Sequence, residues 1–272
     1  MVPLSPSRPV PPWSDASCSR FFRFGRVEGP ADLEATYRIR YQVYCIERGF
    51  FDREDYPAGL EEDEFDAVSV HLLATHLGDG EPAGTARLVL NSPLGFPFLE
   101  HCELAPGYDW LKESGGPATV HYAEVSRLAV SKLFRRRLGD AFYGGPPRPR
   151  SPQGEVIEFP TPCNASEILS GIHRELYQQS LRLGITHWIV AMERSLYLIL
   201  ARMGCLFTPI GPKVDYCGPV RPYVMSLRDY ESSLYRTAPA ILRYMVAGLE
   251  TGLLPGYLCS ADDDRDEAVR SA

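Results

Sequence analysis

The chain has 272 residues, 44% of them hydrophobic, and a net charge of −7 at pH 7. That is enough apolar material for one large or two small globular domains. The acid excess argues against a general nucleic-acid binder, and no apolar run approaches the ~18 residues needed to span a bilayer.

Residues 1–20, rich in Pro and Ser and without an apolar core, read as a disordered arm and not as a secretory signal. A first strand is expected over Phe21 to Val27. Pro30 and Gly49 then bracket a helix, with Leu33, Tyr37, Tyr41, Tyr44 and Cys45 on one stripe. An acidic loop, 52–66, leads to a hairpin of strands 68–77 and 83–90 turned at Gly78, Asp79 and Gly80. A long Pro/Gly-rich connection, 91–118, precedes the strand 119–130. Residues 143–165 read as a flexible insertion. Asn164 and Glu167 have capping-box spacing for a helix over 166–183. A strand 186–192, a helix 193–203, two strands in LFTPI and RPYVMSL, and a final helix over 238–253 complete the order. The tail 260–272 reads as solvated. The strand 119–130, the helix 166–183 and the strand 186–192 form a β-α-β crossover, so those two strands should be parallel. The seven cysteines are scattered, with no Cys-x-x-Cys and no zinc-finger spacing to His. They read as reduced thiols of a cytoplasmic protein, with no metal site.

Chemistry concentrates in the strand 119–130. Val120, Tyr122, Val125, Leu128 and Val130 make it a buried strand, yet Glu124, Ser126 and Arg127 interrupt it. A carboxylate and a guanidinium in a core strand cost several kcal/mol unless paired or used. The chain then turns basic at Lys132, Arg135, Arg136 and Arg137, and Arg136-x-x-Gly139-x-Ala141 could present N–H groups and cations to a phosphate.

That strand and loop resemble the acyl-donor loop of the GNAT acyltransferases. Glu124-x-Ser126-Arg127 is similar to the acyl-homoserine-lactone (autoinducer) synthase branch. So are Arg40-Tyr-Gln-Val-Tyr44, Asp63-Glu-Phe-Asp66 and Gly84-Thr-Ala-Arg87-Leu88, in that order along the chain. The whole chain resembles most the PEP-CTERM/exosortase-associated acyltransferases, relatives of the N-acyl amino acid synthases. Phe50 or Phe51 stands where the autoinducer synthases have Trp, Tyr44 where they have Phe, and Leu200 where many GNAT enzymes have a Tyr acid.

The resemblance implies an α/β (α+β) GNAT fold, a central mixed twisted sheet flanked by helices, over 21–228, with a helical extension over 229–259. It implies acyl transfer from an acyl carrier protein or coenzyme A thioester to a small amine, an amino acid being one candidate, with no tightly bound cofactor. The alternatives are acyl-homoserine-lactone synthesis from S-adenosylmethionine and a non-catalytic binding module. Glu124, Ser126 and Arg127 are the expected catalytic residues, with Glu124 as general base. Arg40, Tyr44, Phe50, Asp63, Asp66 and Arg87 are expected at the acceptor: the acids to attract its ammonium, and Arg40, Arg87 or Arg127 to pair with a carboxylate on it. Leu128, Ala129, Val130, Arg135, Arg136, Arg137 and Gly139 are expected at the donor. A purely structural ion-pair network of Arg40, Asp63, Asp66, Arg87 and Arg127 is the competing account of those charges.

Overall fold

The computed structural model describes residues 21–112, 120–135 and 165–256. The arm 1–20, Arg136, Arg137, Gly139, Asn164, nearly all of the insertion and the tail lie outside the described residues.

Strand β1 (Phe22–Arg26) leads into α1 (Pro30–Arg40), which opens at Pro30 and carries Asp32 in its first turn. From Tyr41 to Glu47 the helix widens into a π-helix, a form concentrated at functional sites. Gly49, at φ 62°, ends it in a conformation that a side chain would resist. Strands β2 (Ser69–His76) and β3 (Pro82–Leu90) form the expected hairpin, and β4 (Tyr122–Val130) pairs antiparallel with β3. A short α2 (Lys132–Arg135), the long α3 (Ala165–Arg182), β5 (His187–Glu193) and α4 (Arg194–Arg202) follow. Two-residue strands β6 (Thr208–Pro209) and β7 (Val214–Asp215) flank β8 (Pro219–Ser226).

The sheet order is β1-β2-β3-β4-β5-β8-β6, with β7 on β8. Every pairing is antiparallel except β4 with β5, the crossover pair. β3 is central and buried from Ala83 through Val89, as a strand covered on both faces must be. Ala86 and Leu88 join the main core with Ile168, Ile172 and Leu176 of α3. The close approach of α3 to β1 depends on Gly171, where a Cβ would lie 2.1 Å from the Phe24 ring. On the opposite face α1 packs across β2, β3 and β4.

The C-terminal helices differ from the single helix expected over 238–253. Residues Leu227–Thr237 form a helix, α5, whose N-cap Ser226 accepts a hydrogen bond from the Asp229 N–H. Strand β8 runs straight into α5 with no Gly or Pro between them, so the sequence carries no breaker signal there. The next helix, α6, spans Pro239–Val246 and stops short of 253, because Gly248 takes φ 84° just beyond it. Tyr230, Leu234, Leu242 and Met245 of these two helices sit in the same core cluster as the sheet and α3. The expected strand in LFTPI shrinks to Thr208–Pro209, and α3 begins at Ala165, inside the range read as insertion.

Candidate active site

The site begins where two strands part. β4 and β5 pair only at Tyr122–His187, Ala123–Trp188 and Glu124–Ile189. Both strands continue beyond that point, β4 to Val130 and β5 to Glu193. The gap is a cleft of about 330 Å³ that passes between them, within the range of small-molecule sites, roughly 300–1,000 Å³. On the α3 face its wall is apolar: Leu169, Leu176, Trp188, Ile199, Leu200 and Met203 line it. His173 joins them; burial pushes its imidazole down to about 4, and its Nε2 lies 3.1 Å from the Tyr230 hydroxyl. The other end is lined by Tyr44, Phe50, Phe51, Glu124, Arg127, Tyr216 and Cys217. No residue of α4 is fully buried; Leu196, Ile199 and Leu200 are half-buried against the core and turn toward the cleft.

A bulge in β4 shapes the edge of the gap. Arg87 pairs with Ser126 and Thr85 with Ala129, so Arg127 and Leu128 together face Ala86. Arg127 takes φ 52°, a left-handed conformation that costs a non-glycine residue about 1–2 kcal/mol. The Tyr44 hydroxyl, carried on the π-helix, donates to the Leu128 carbonyl at 3.0 Å. Beyond the bulge the Ser131 N–H donates to Ala83 O at 2.9 Å. Strand alternation then turns the Val130 N–H away from β3 and into the gap.

Glu124 sits at the last paired position of β4 and is 4% exposed. Burial raises its carboxyl to about 7; the Phe98 N–H and the charges of Arg87 and Arg127 limit the rise. The Phe98 N–H donates to its Oε2 at 3.0 Å. That donor comes from the 91–118 connection, which thereby has a place in the site.

Beneath the cleft lies a closed network. Arg40 donates through Nε to Glu61 at 2.5 Å and through Nη1 and Nη2 to Asp66 at 2.7 and 3.1 Å. Arg87 donates through Nη1 to Asp63 at 2.5 Å and Asp66 at 2.6 Å, and through Nε to Ser126 Oγ at 3.2 Å. Arg127 joins Glu61 at 3.1 Å and Asp63 at 2.9 Å. Burial alone would raise Asp66, but Arg40 and Arg87 outweigh it and hold the carboxyl at about 2. Asp63 also caps the turn Glu64–Val68, accepting from the Phe65 N–H, while its own N–H donates to Asp66.

The structure brings Tyr44, Phe50, Glu124, Ser126, Arg127, Leu128, Ala129 and Val130 to the cleft. It does not bring Arg40, Asp63, Asp66 or Arg87 there. Where a carboxylate on the acceptor was expected for Arg40 and Arg87, the structure supplies Glu61, Asp63 and Asp66, because a guanidinium at 0% exposure must be neutralised within the protein. Arg135 ends α2, just beyond the gap. Sequence reading missed Glu61, whose only signal was a place in an acidic loop. It also missed Arg48, Glu193, Tyr216 and Cys217, which line the cleft from turns and strand ends.

Comparison with known proteins agrees with this geometry. Residues 39–143 match the family model of an acetyltransferase (GNAT) domain. This span holds the network, the bulge and Glu124. The fold is the GNAT fold. Among solved structures the chain is similar to the AHL synthase LasI, at 18% identity and a TM-score of 0.52, covering 79% of this chain and 93% of that one. It is similar to FeeM, an N-acyl amino acid synthase from uncultured soil microbes, at 14% identity and a TM-score of 0.52, covering 78% and 94%. TofI, solved in a ternary complex with an inhibitor and MTA, aligns at 19% identity and a TM-score of 0.52, covering 86% and 100%. No curated protein matches the chain.

Proposed function

We propose that the chain is an N-acyltransferase that moves a fatty acyl group from a carrier-protein or coenzyme A thioester to the amine of a small acceptor, an amino acid in the first instance. One observation carries this reading: a buried carboxyl, Glu124, stands at the point where β4 and β5 part, between an apolar half-cleft and an aromatic one. The acyl chain occupies the half lined by Leu169, Leu176, Ile199 and Met203. The acceptor enters from the side of Tyr44, Phe50 and Tyr216.

An amine reaches neutral solution largely as ammonium and must lose a proton before it can attack. Glu124, at about 7, is poised to take that proton near neutral pH, directly or through one water. The nitrogen then adds to the thioester carbonyl, and negative charge grows on the oxygen. The Val130 N–H, turned into the gap, is the donor placed to meet it. Collapse of the tetrahedral state breaks the C–S bond. A thiolate with a conjugate-acid pKa near 8.5 can depart without an obligatory acid, so Leu200 in place of a Tyr does not block the reaction. The nitrogen sheds its second proton as the amide forms; of the two protons released, one goes to the departing thiolate and the other, through Glu124, to solvent.

Arg40, Arg87, Asp63 and Asp66, with Glu61 and Arg127, act as the frame of the bulge and not as acceptor ligands. Ser126 supports the Arg87 guanidinium. The basic stretch Arg135, Arg136 and Arg137 with Gly139 is assigned to the phosphates of the donor, and the link to an exosortase sorting system rests on the sequence resemblance alone. None of the described helices is long and apolar enough to cross a membrane.

The test is thiol release from a long-chain acyl thioester, with mass spectrometry of the product. Release that depends on an added amine and yields its N-acyl derivative is the expected result. Release of methylthioadenosine from S-adenosylmethionine identifies the lactone-synthase alternative. Thioester binding without turnover, for any acceptor, leaves a binding module and ends the enzymatic reading.

A further inference from the structure

The ion-pair network leaves a question about the acceptor. Its three guanidinium groups and three carboxylates cancel, and every carboxylate contacts a guanidinium. Arg40 and Arg87 are 0% exposed and absent from the cleft wall. Arg87 Nη2 has no partner among the described residues, but it lies in the same buried interior and not at the cleft. Arg127 does reach the cleft, yet Glu61 and Asp63 already hold it. A second anion placed there would meet the two carboxylates that already hold it.

Among the described residues one other arginine lines the cleft, Arg48. It is exposed, just past the π-helix, and among the described residues no carboxylate pairs with it. Its guanidinium carbon sits 5.7 Å from the centre of the Phe50 ring, which steadies the group at the aromatic mouth. Phe50 in turn stacks on Tyr44 at 6.4 Å and lies against Gly218, so the mouth is walled by the helix end and by the turn before β8.

We infer that Arg48 is the carboxylate receptor of the acceptor site, and that the acceptor is therefore a free α-amino acid and not a simple amine. This rests on the acyl-transfer reading. The planar fork of Arg matches a carboxylate in a bidentate pair, which an ammonium group would not. The amine end of the same molecule then lies deeper, toward Glu124, and the side chain meets Phe50, Phe51 and Tyr216. Arg48 touches only the acceptor; it takes no part in the bond changes.

The experiment pairs amino acids with their decarboxylated amines: L-phenylalanine with phenethylamine, and L-leucine with 3-methylbutylamine. Wild type, Arg48→Gln and Arg48→Lys are assayed by thiol release from one long-chain acyl thioester. Losing a charge-assisted pair should lower kcat/KM for the amino acid about 10- to 100-fold, mainly through KM. The loss with the matching amine should be much smaller, and lysine should restore part of the difference. Equal loss with acid and amine, or no loss with either, overturns the inference. A raised KM for the thioester instead of the amino acid also overturns it, by placing Arg48 at the donor. Calorimetric titration of the same amino acids separates this inference from the acyl-transfer reading. Wild type without turnover that binds an amino acid, with binding lost in Arg48→Gln, upholds the receptor while sinking the enzyme. Wild type that binds neither amino acid and prefers neither over its amine sinks the receptor.

Discussion

Glu124→Gln should make the protein more stable at high pH and nearly inactive, and the two effects have the same cause. Burial moves the Glu124 carboxyl from an ordinary 4.5 to about 7. Below about pH 4.5 the group is protonated in both folded and unfolded chains. Between about 4.5 and 7 the folded chain keeps a proton that the unfolded chain has lost, so folding stability falls as pH rises. Above about 7 the folded chain bears a buried charge, and the penalty is complete. At 1.36 kcal/mol per tenfold change in proton affinity, it amounts to about 3 kcal/mol. Glutamine never ionises, and its amide oxygen can still accept from the Phe98 N–H. Any packing cost of the amide is the same at every pH. The variant-minus-wild-type stability should therefore rise by about 2–3 kcal/mol between pH 5 and pH 8, read from urea unfolding at each pH. Turnover at pH 8 should fall by about 10²–10⁴, and the limb of the wild-type kcat/KM profile centred near pH 7 should vanish. A stability difference that is flat with pH would mean that Glu124 carries no ionisation penalty. A variant with wild-type kcat would remove Glu124 from the chemistry.

Three further outcomes are expected. Arg40→Ala should destabilise the fold by about 3–5 kcal/mol in urea unfolding, since it leaves the buried network with three carboxylates against two guanidinium groups; a normal fold with a raised KM for the acceptor alone would return Arg40 to the binding site. Met203→Trp narrows the apolar half-cleft and should lower kcat/KM for long-chain thioesters at least tenfold while sparing acetyl thioester, and equal loss with both would place the acyl chain elsewhere. Changing Arg135, Arg136 and Arg137 together to Ser should weaken use of an acyl carrier protein, with a deficit that shrinks as salt screens wild type beyond ~10 Å at 0.1 M; equal loss with short acyl-pantetheine would mean that these arginines shape the pocket instead.

Much of this architecture is legible in the chain because its signals are local. Alternating apolar residues, Gly-Asp-Gly at the hairpin, and Pro30 and Gly49 around the first helix each act within a few residues. Helix α5 escaped because its breaker-free entry from β8 hides a Leu227, Tyr230, Leu234 stripe behind polar neighbours. The motif pieces Arg40, Asp63, Asp66, Arg87, Glu124 and Arg127 do gather in one region. What the sequence could not supply is the division of labour among them. Arg87 and Ser126 fall opposite each other only in the β3–β4 register, and the register fixes which guanidinium is buried and which reaches the cleft. Glu61 completes the charge balance from a run of Asp and Glu in which no single residue stands out. Arg48 looks like any exposed helix-end arginine until the Phe50 ring and the cleft wall are placed beside it.

The network has a geometric reason to exist. Arg127 holds a left-handed backbone that costs about 1–2 kcal/mol, and such a conformation persists only where surrounding groups over-determine it. Its guanidinium is held by Glu61 and Asp63. Glu61 is held by Arg40 at the end of α1, and Asp63 by Arg87 in β3. Tyr44, one turn beyond Arg40, takes the Leu128 carbonyl that the bulge frees from the ladder. Helix, loop and strand thus converge on two residues of β4. Without the bulge, the ladder register would continue unbroken past Ser126, and the Val130 N–H would turn toward β3 instead of into the gap. Five charges set back from the cleft wall, with Arg127 at its edge, thus hold the bulge that turns the Val130 N–H into the gap, which is why removing any one of the five should cost folding before it costs specificity.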